Sequence, residues 1–313
     1  HAATYLSAGI NTYMAAVHQP PMTDITSTGM FVIAQYAVVF PKGVTEAEWT
    51  NAEVGSNANV VGWFIYDEAE QGEGNYFDID TNGVESTDAR RLQFFQSETA
   101  ARRALADGRF MFANFGNGVM GSFWAPGTMD DYYQTVDAAC IDKYAYTSPP
   151  VQSLFTDAPN WPSGANPERS AAYGWFVGQM RNVYDNPNGR RPAWVFIETK
   201  KPYLSESNAR IILHAEMEGA VWSAIANEAR GIAYFDYNGF YPPNVPTTDP
   251  NTGSAPTTET YAIAEGPATY KNAVTAINAR VAEMAPVINT QSYVWDFGSA
   301  NMDTMLKAKD GFA

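Results

Sequence analysis

The chain has one cysteine, three histidines, and 19 lysines and arginines against 34 aspartates and glutamates in 313 residues. Each shortage excludes something. A single cysteine, Cys140, permits no internal disulfide, and its apolar context makes it a small core residue. His1, His18 and His214 leave almost no material for a multi-histidine metal site, which counts against a metal-dependent barrel hydrolase. The formal charge of −15 repels phosphate backbones and anionic lipid surfaces, so nucleic acid is set aside as a partner. No apolar run reaches the roughly 18 residues a membrane span needs, and no charged-then-apolar leader precedes His1. The expectation is a soluble chain without a membrane span, from which any signal peptide has already gone.

What is present is apolar bulk: 45% hydrophobic and 14% aromatic residues, enough for one large core. Val60 to Glu70, VVGWFIYDEAE, is a β-branched and aromatic run that ends in two adjacent carboxylates. Apolar on both faces, it predicts a strand of a parallel sheet covered by helices. A period of two puts Gly62, Phe64, Tyr66 and Glu68 on one face and Trp63, Ile65 and Asp67 on the other.

Around it the chain alternates. Further strands are expected at Ile10–Ala16, Met30–Phe40, Arg109–Gly118, from Cys140, at Ala193–Lys201 and at Gly231–Gly239. Helical patterns lie at Ala2–Ala8, Glu46–Asn51, Thr87–Asp107, Asp130–Ala139, Glu168–Tyr184, Asn208–Arg230 and Glu259–Met284, with a Pro-rich loop through Trp161. On the third of these patterns, Thr87–Asp107, Leu92, Phe95, Thr99 and Ala106 share a face, with Arg90, Arg91, Arg102 and Arg103 outside it. On Asn208–Arg230 the stripe reads Ile211, Ala215, Trp222, Ile225 and Ala229, with Trp222 in the core. Seven strands separated by helices imply an α/β fold, and eight such units close a TIM-type (β/α)8 barrel. The chain opens on a helix, so the first barrel strand is expected to be absent. Residues 1–288 form the barrel; 289–313, including SYVWDFG, are a tail or the start of a small β appendage.

Chemistry in such barrels lies at the C-terminal ends of the strands. The exits carry Tyr13, Gln35, Asp67 with Glu68, Asn114, Tyr144 with Tyr146, Glu198, and Asp236 with Tyr237. Two long apolar strands thus each deliver a glutamate, Glu68 and Glu198, expected to face one pocket. Cleaving a glycosidic bond needs one protonated carboxylic acid for the leaving group and one carboxylate for the oxocarbenium-like centre, and no cofactor. The plainer reading is that each acid caps the helix after it. Sugar rings also stack their C–H faces on aromatics, and Trp124, Trp161, Tyr203, Phe240 and Tyr241 lie in loops after strands.

Through GWFIYDEAE, CIDKYAY, WVFIETKKPY and AEMEGAVWSAIANEARGIAYFDYN the chain resembles clan A of the glycoside hydrolases. In that clan the general acid/base follows strand four and the nucleophile strand seven. Counting the missing strand as the first, the resemblance assigns these roles to Glu68 and Glu198. Many members have Asn before the acid/base, where this chain has Asp67, and Trp at the strand-eight exit, where it has Asp236 or Tyr237. Like charge on Asp67 and apolar neighbours are expected to keep Glu68 protonated, while Lys200 and Lys201 favour the Glu198 anion and Tyr144 donates to it. The carboxyls are expected about 5 to 5.5 Å apart, the spacing for retention. Tyr13, Gln35, Asp67, Asn114, Tyr144, Asp236, Tyr237 and Trp124 are the candidate substrate-binding residues.

DIDTNG, Asp78 to Gly83, matches the opening of a calcium loop, with Asp78, Asp80 and Asn82 at positions one, three and five. Position twelve is Ala89, not the bidentate Glu, and an Asx-rich turn before Thr87 explains the stretch equally. The leading expectation is therefore a retaining glycosidase acting on a poly- or oligosaccharide, with carbohydrate as its partner. The alternative is a non-catalytic carbohydrate-binding barrel of a cell surface or virion. An acidic, lysine-poor surface suggests export to the cell surface or beyond.

Overall fold

The computed structural model describes residues 1–16, 22–35, 54–71, 88–121, 129–181, 191–201, 208–237, 248–257, 259–290, 292 and 304–307. Trp124, Tyr203, Phe240, Tyr241, the helix expected at Glu46–Asn51, the DIDTNG loop and all of SYVWDFG after Ser292 lie outside these residues. The chain divides into two compact units, the first built mainly from Ile10–Cys140 and the second from Ile141–Arg181 and Ala193–Ala313.

In the first unit α1 (Ala2–Ser7), β1 (Thr12–Ala16), α2 (Met22–Thr26), β2 (Phe31–Gln35) and β3 (Val60–Asp67) precede α3 (Asp88–Arg103) and β4 (Phe110–Phe115). A 3-10 turn (Asn117–Met120), α4 (Met129–Thr135) and β5 (Ala138–Ile141) follow. Pairing is parallel from β1 to β2, β2 to β3 and β3 to β4, which is what apolar runs joined by helical crossovers produce. The register slips between Phe64 and Tyr66, where β3 carries one residue more than β4. The alternation expected along β3 therefore stops at Phe64, because a bulge sets two residues against one.

Arg102 corrects another expectation. It is buried, with its guanidinium 5.7 Å from the Trp63 ring centroid, and Arg109 lies 5.5 Å from the same ring. Arg102 stands seven residues beyond Phe95, so helical spacing places it on the core stripe. Its charge had argued for the outside; the indole face and Glu98, at 3.4 Å, make the buried position tenable.

The second unit contains α5 (Pro149–Leu154), α6 (Ala171–Gln179), β6 (Ala193–Glu198), α7 (His214–Ala226), β7 (Gly231–Phe235), α8 (Ala262–Glu265) and α9 (Ala268–Ile288). β6 and β7 pair in parallel from Trp194 opposite Gly231 to Glu198 opposite Phe235. α5 occupies part of the expected Pro-rich loop, since prolines in a first helical turn have no N–H to forfeit and a preset φ. The strand expected from Cys140 starts at Ala138 and ends at Ile141, so Tyr144 and Tyr146 lie in the turn beyond it. On α7 the buried stripe is Met217, Ala220, Val221, Ala224 and Ile225; Trp222 is half-buried and Ala215 exposed. The expected stripe was counted from Ile211, three residues before the helix begins. Among the described residues there are seven strands, in the order expected. Among the described tail residues Ser292 and Lys307 form one antiparallel bridge.

Candidate functional site

β6 ends in Glu198, whose side chain is fully buried. Tyr173, from the third residue of α6, donates its hydroxyl to Oε2, and the backbone N–H of Tyr146 donates to Oε1 at 3.2 Å. Burial drives the Glu198 pKa up from the ordinary carboxylate value to about 7, while the donors on both oxygens and the positive charge of Arg210 pull it down. Burial and then the adjacent Glu198 charge also push the Tyr173 phenol well above its usual pKa, so this hydroxyl is a donor at any physiological pH. Tyr146 and Tyr173 stack with centroids 5.7 Å apart and planes 22° from parallel. The Tyr146 hydroxyl meets Ser170 Oγ at 2.9 Å.

These partners differ from those expected. Lys200 sends its ammonium to Glu259 at 2.6 Å and to the Thr257 carbonyl at 3.0 Å, so it does not serve Glu198. Lys201 is buried. The hydroxyl on the carboxylate is that of Tyr173, which lies within the helix expected at Glu168–Tyr184 and was not singled out there. A signal was available: a tyrosine buried in an apolar helix still needs a partner for its O–H. Tyr144 is buried with its ring 5.1 Å from Phe235. Asp236 Oδ1 accepts the N–H of Ile263 at 2.7 Å and the Thr199 hydroxyl at 3.2 Å, tying β7 to α8. Tyr237 bridges Tyr261 in antiparallel pairing.

In the first unit β3 ends at Asp67, and Glu68 follows with φ +53, a left-handed conformation rare outside glycine. The turn is held on every side. The Glu68 N–H donates to the Asn114 carbonyl at 2.8 Å and its own carbonyl accepts from Gln71 N at 3.0 Å. Glu70, buried, accepts the N–H groups of Gly116 and Gly118 at 2.5 and 3.2 Å. Gly116 leaves room for these side chains: a Cβ there would stand 2.2 Å from both Glu68 Oε1 and Gln71 Nε2, so one of the two flexible ends would have to move. Asn114, buried, donates Nδ2 to Asp67 Oδ1 at 2.7 Å. The structure thus brings Asp67, Glu68 and Asn114 together. Tyr13 packs edge-on to Tyr5 at 5.6 Å, and Gln35 is half-buried at the end of β2. Among the described residues no cluster of three His, Cys, Asp or Glu side chains could hold a metal ion. Nor is any described helix long and apolar enough to cross a membrane.

No family model and no curated protein matches the sequence. Solved structures match the fold. A β-galactosidase from Rahnella sp. R3 superposes with a TM-score of 0.57 at 11% identity over 94% of this chain and 54% of its own. The β-galactosidase from psychrophilic Marinomonas ef1 gives 0.55 at 12%, over 91% and 57%. A GH5_18 enzyme from Bifidobacterium longum, solved with Manβ1-4GlcNAc, gives 0.52 at 9%, over 89% and 72%. The chain therefore spans little more than half the length of the two β-galactosidases. At such identities the likeness carries the fold alone: parallel α/β, of the TIM-barrel type that glycosidases use.

Proposed function

We propose that the chain carries the catalytic part of a retaining glycoside hydrolase acting on a poly- or oligosaccharide, with Glu198 as nucleophile and Glu68 as acid/base. The observation that carries this reading is Glu198 itself, a strand-end carboxylate with a donor fixed on each oxygen. Donors on both oxygens favour and orient the anion, which is what attack on an anomeric carbon needs. The fold neighbours support the class of reaction, and the strained strand exit at Glu68 supports a second carboxylate set by design of the backbone. Asp67 and Asn114, adjacent to Glu68, are proposed to bind sugar hydroxyls, with Tyr13, Gln35, Tyr144, Asp236, Tyr237 and Trp124 as further candidates. A secreted or cell-surface location fits an acidic chain that acts on saccharides.

One observation favours a second reading. Glu198 has no solvent exposure, as suits a non-catalytic carbohydrate-binding barrel in which the acid is structural. Trapping separates the two. A 2-deoxy-2-fluoro glycoside with an activated leaving group should leave a covalent glycosyl ester on the peptide containing Glu198, detected by mass spectrometry after proteolysis. Binding of saccharides with no ester and no turnover across a panel of aryl glycosides would select the second reading.

A further inference from the structure

Arg210 stands in the extended stretch before α7, four residues from the helix start, and it was not singled out by its sequence context. Its guanidinium is gripped on two edges. Nη1 and Nη2 donate to the two oxygens of Glu216 at 2.7 and 2.9 Å, and Nε donates to Glu168 at 3.3 Å. Glu216 in turn accepts the Leu213 N–H at 2.9 Å, so the grip is continuous with the first turn of α7. Held this way, the guanidinium carbon lies 5.3 Å from the centroid of the Tyr146 ring. Tyr146 is further fixed by Ser170, whose Oγ approaches Gly219 so closely that a Cβ there would be 2.3 Å away.

The order of contacts is then continuous: Glu216 and Glu168 hold Arg210, Arg210 covers Tyr146, Tyr146 stacks on Tyr173, and both tyrosines donate to Glu198. A partly exposed ion pair alone is worth little, because solvent screens it and two long side chains must be ordered. A planar fork held bidentately over an aromatic ring does something a point charge cannot, which is to fix the plane of that ring. We propose that Arg210 is a positioning residue for Glu198, pressing Tyr146 onto Tyr173 and so keeping both hydrogen-bond donors on the carboxylate.

The proposal rests on Glu198 being the reacting carboxylate, but its test does not need turnover. Among the described residues, the charged and titratable groups that act on Glu198 include Tyr173 from α6, Tyr146 from the turn after β5 and Arg210, with Glu216 and Glu168 beyond Arg210; Lys200 is engaged by Glu259. The full chain is labelled with glutamate enriched in carbon-13 at the side-chain carboxyl and titrated by NMR, with Glu198→Gln identifying the resonance. Arg210→Gln should move the Glu198 midpoint upward by at least about half a pH unit, through looser donors and a lost positive charge. Arg210→Lys returns the charge without the fork, and should recover only part of the shift. In an active enzyme it should also keep KM within about twofold while kcat falls about tenfold. Should Arg210→Gln not fold, Arg210→Met keeps the stem against the ring and takes its place in the same titration. A midpoint unmoved in the neutral variant would overturn the proposal. So would full recovery in the lysine variant, which would leave charge alone as the cause. Absence of glycosidase activity with the expected titration would count against the enzymatic reading and leave Arg210's role standing.

Discussion

The two strand-end glutamates are held in opposite ways. Glu198 has a regular strand backbone and a side chain enclosed by partners, so its environment acts on its proton. Glu68 is half-buried, and what is unusual there is the backbone, left-handed between β3 and the turn that seats Glu70. One site stores free energy in desolvation and the other in torsion. Electrostatic cost changes with pH and disappears with the charge; torsional cost is indifferent to pH and disappears with the Cβ. Variants that remove one without the other sharpen this contrast.

The largest effect is expected from Glu198→Gln. Turnover should be lost, yet the protein should gain stability in alkaline buffer. The sign follows from linkage: a carboxyl raised from its ordinary value to about 7 on folding contributes fully below the unfolded pKa, and its contribution is lost as pH rises through the folded one. At pH 8 the wild type carries a net cost of about 3 kcal/mol for holding this carboxyl ionised, burial outweighing its donors, and the amide does not. Urea unfolding at pH 4 and pH 8 should show a stability gap that opens between about pH 4.5 and 7. A gap constant with pH would mean that the carboxyl is not desolvated as described.

Next comes Tyr173→Phe. Its hydroxyl favours the Glu198 anion, so removal should raise the carboxyl's pKa and carry the acid limb of kcat/KM, expected near 7, about one unit to higher pH. At pH 7 the rate should fall about tenfold to a hundredfold, and part should return at pH 9. An unmoved limb would assign it to another group.

Much of this arrangement was legible in the sequence. Val60–Asp67 and Ala193–Glu198 are β-branched and aromatic runs that could be little other than buried strands, and the acids at their ends followed directly. What was not legible depends on neighbours distant in sequence. Tyr173 reaches Glu198 from 25 residues away, across a helix and a loop, and nothing in AAYGWFVG states that. The bulge beside Ile65 and the positive φ at Glu68 answer to Asn114 and Gly116, whose roles appear only once β4 lies beside β3. Arg102 failed for a different reason: charge was weighed above helical spacing, and the spacing was right.

Gly116→Ala should have a smaller effect, confined to the first unit. The added methyl meets the Glu68 carboxyl and the Gln71 amide, flexible ends that can move, so the chain should fold with a loss of about 1 kcal/mol. Displacing the Glu68 carboxyl should slow hydrolysis of poor leaving groups about tenfold and spare activated ones. Because the cost is steric, the stability loss should be the same at pH 5 and pH 8. A loss that changed with pH would break the contrast.

The smallest effect isolates the torsion at Glu68. Glu68→Ala and Glu68→Gly both delete the carboxylate, and both should hydrolyse only substrates whose leaving group needs no proton. They differ in the Cβ. A Cβ in the left-handed region costs about 1 to 2 kcal/mol, whereas glycine adopts φ +53 freely but gives up more chain entropy on folding. The net expectation is that the glycine variant is more stable than the alanine variant by about 0.5 to 1 kcal/mol, equally at pH 5 and pH 8. Denaturant midpoints at the two pH values measure it. Were alanine the more stable, the left-handed turn would not be imposed by the contacts of Glu70 and Asn114, and the strain would have no place in how this acid is aimed.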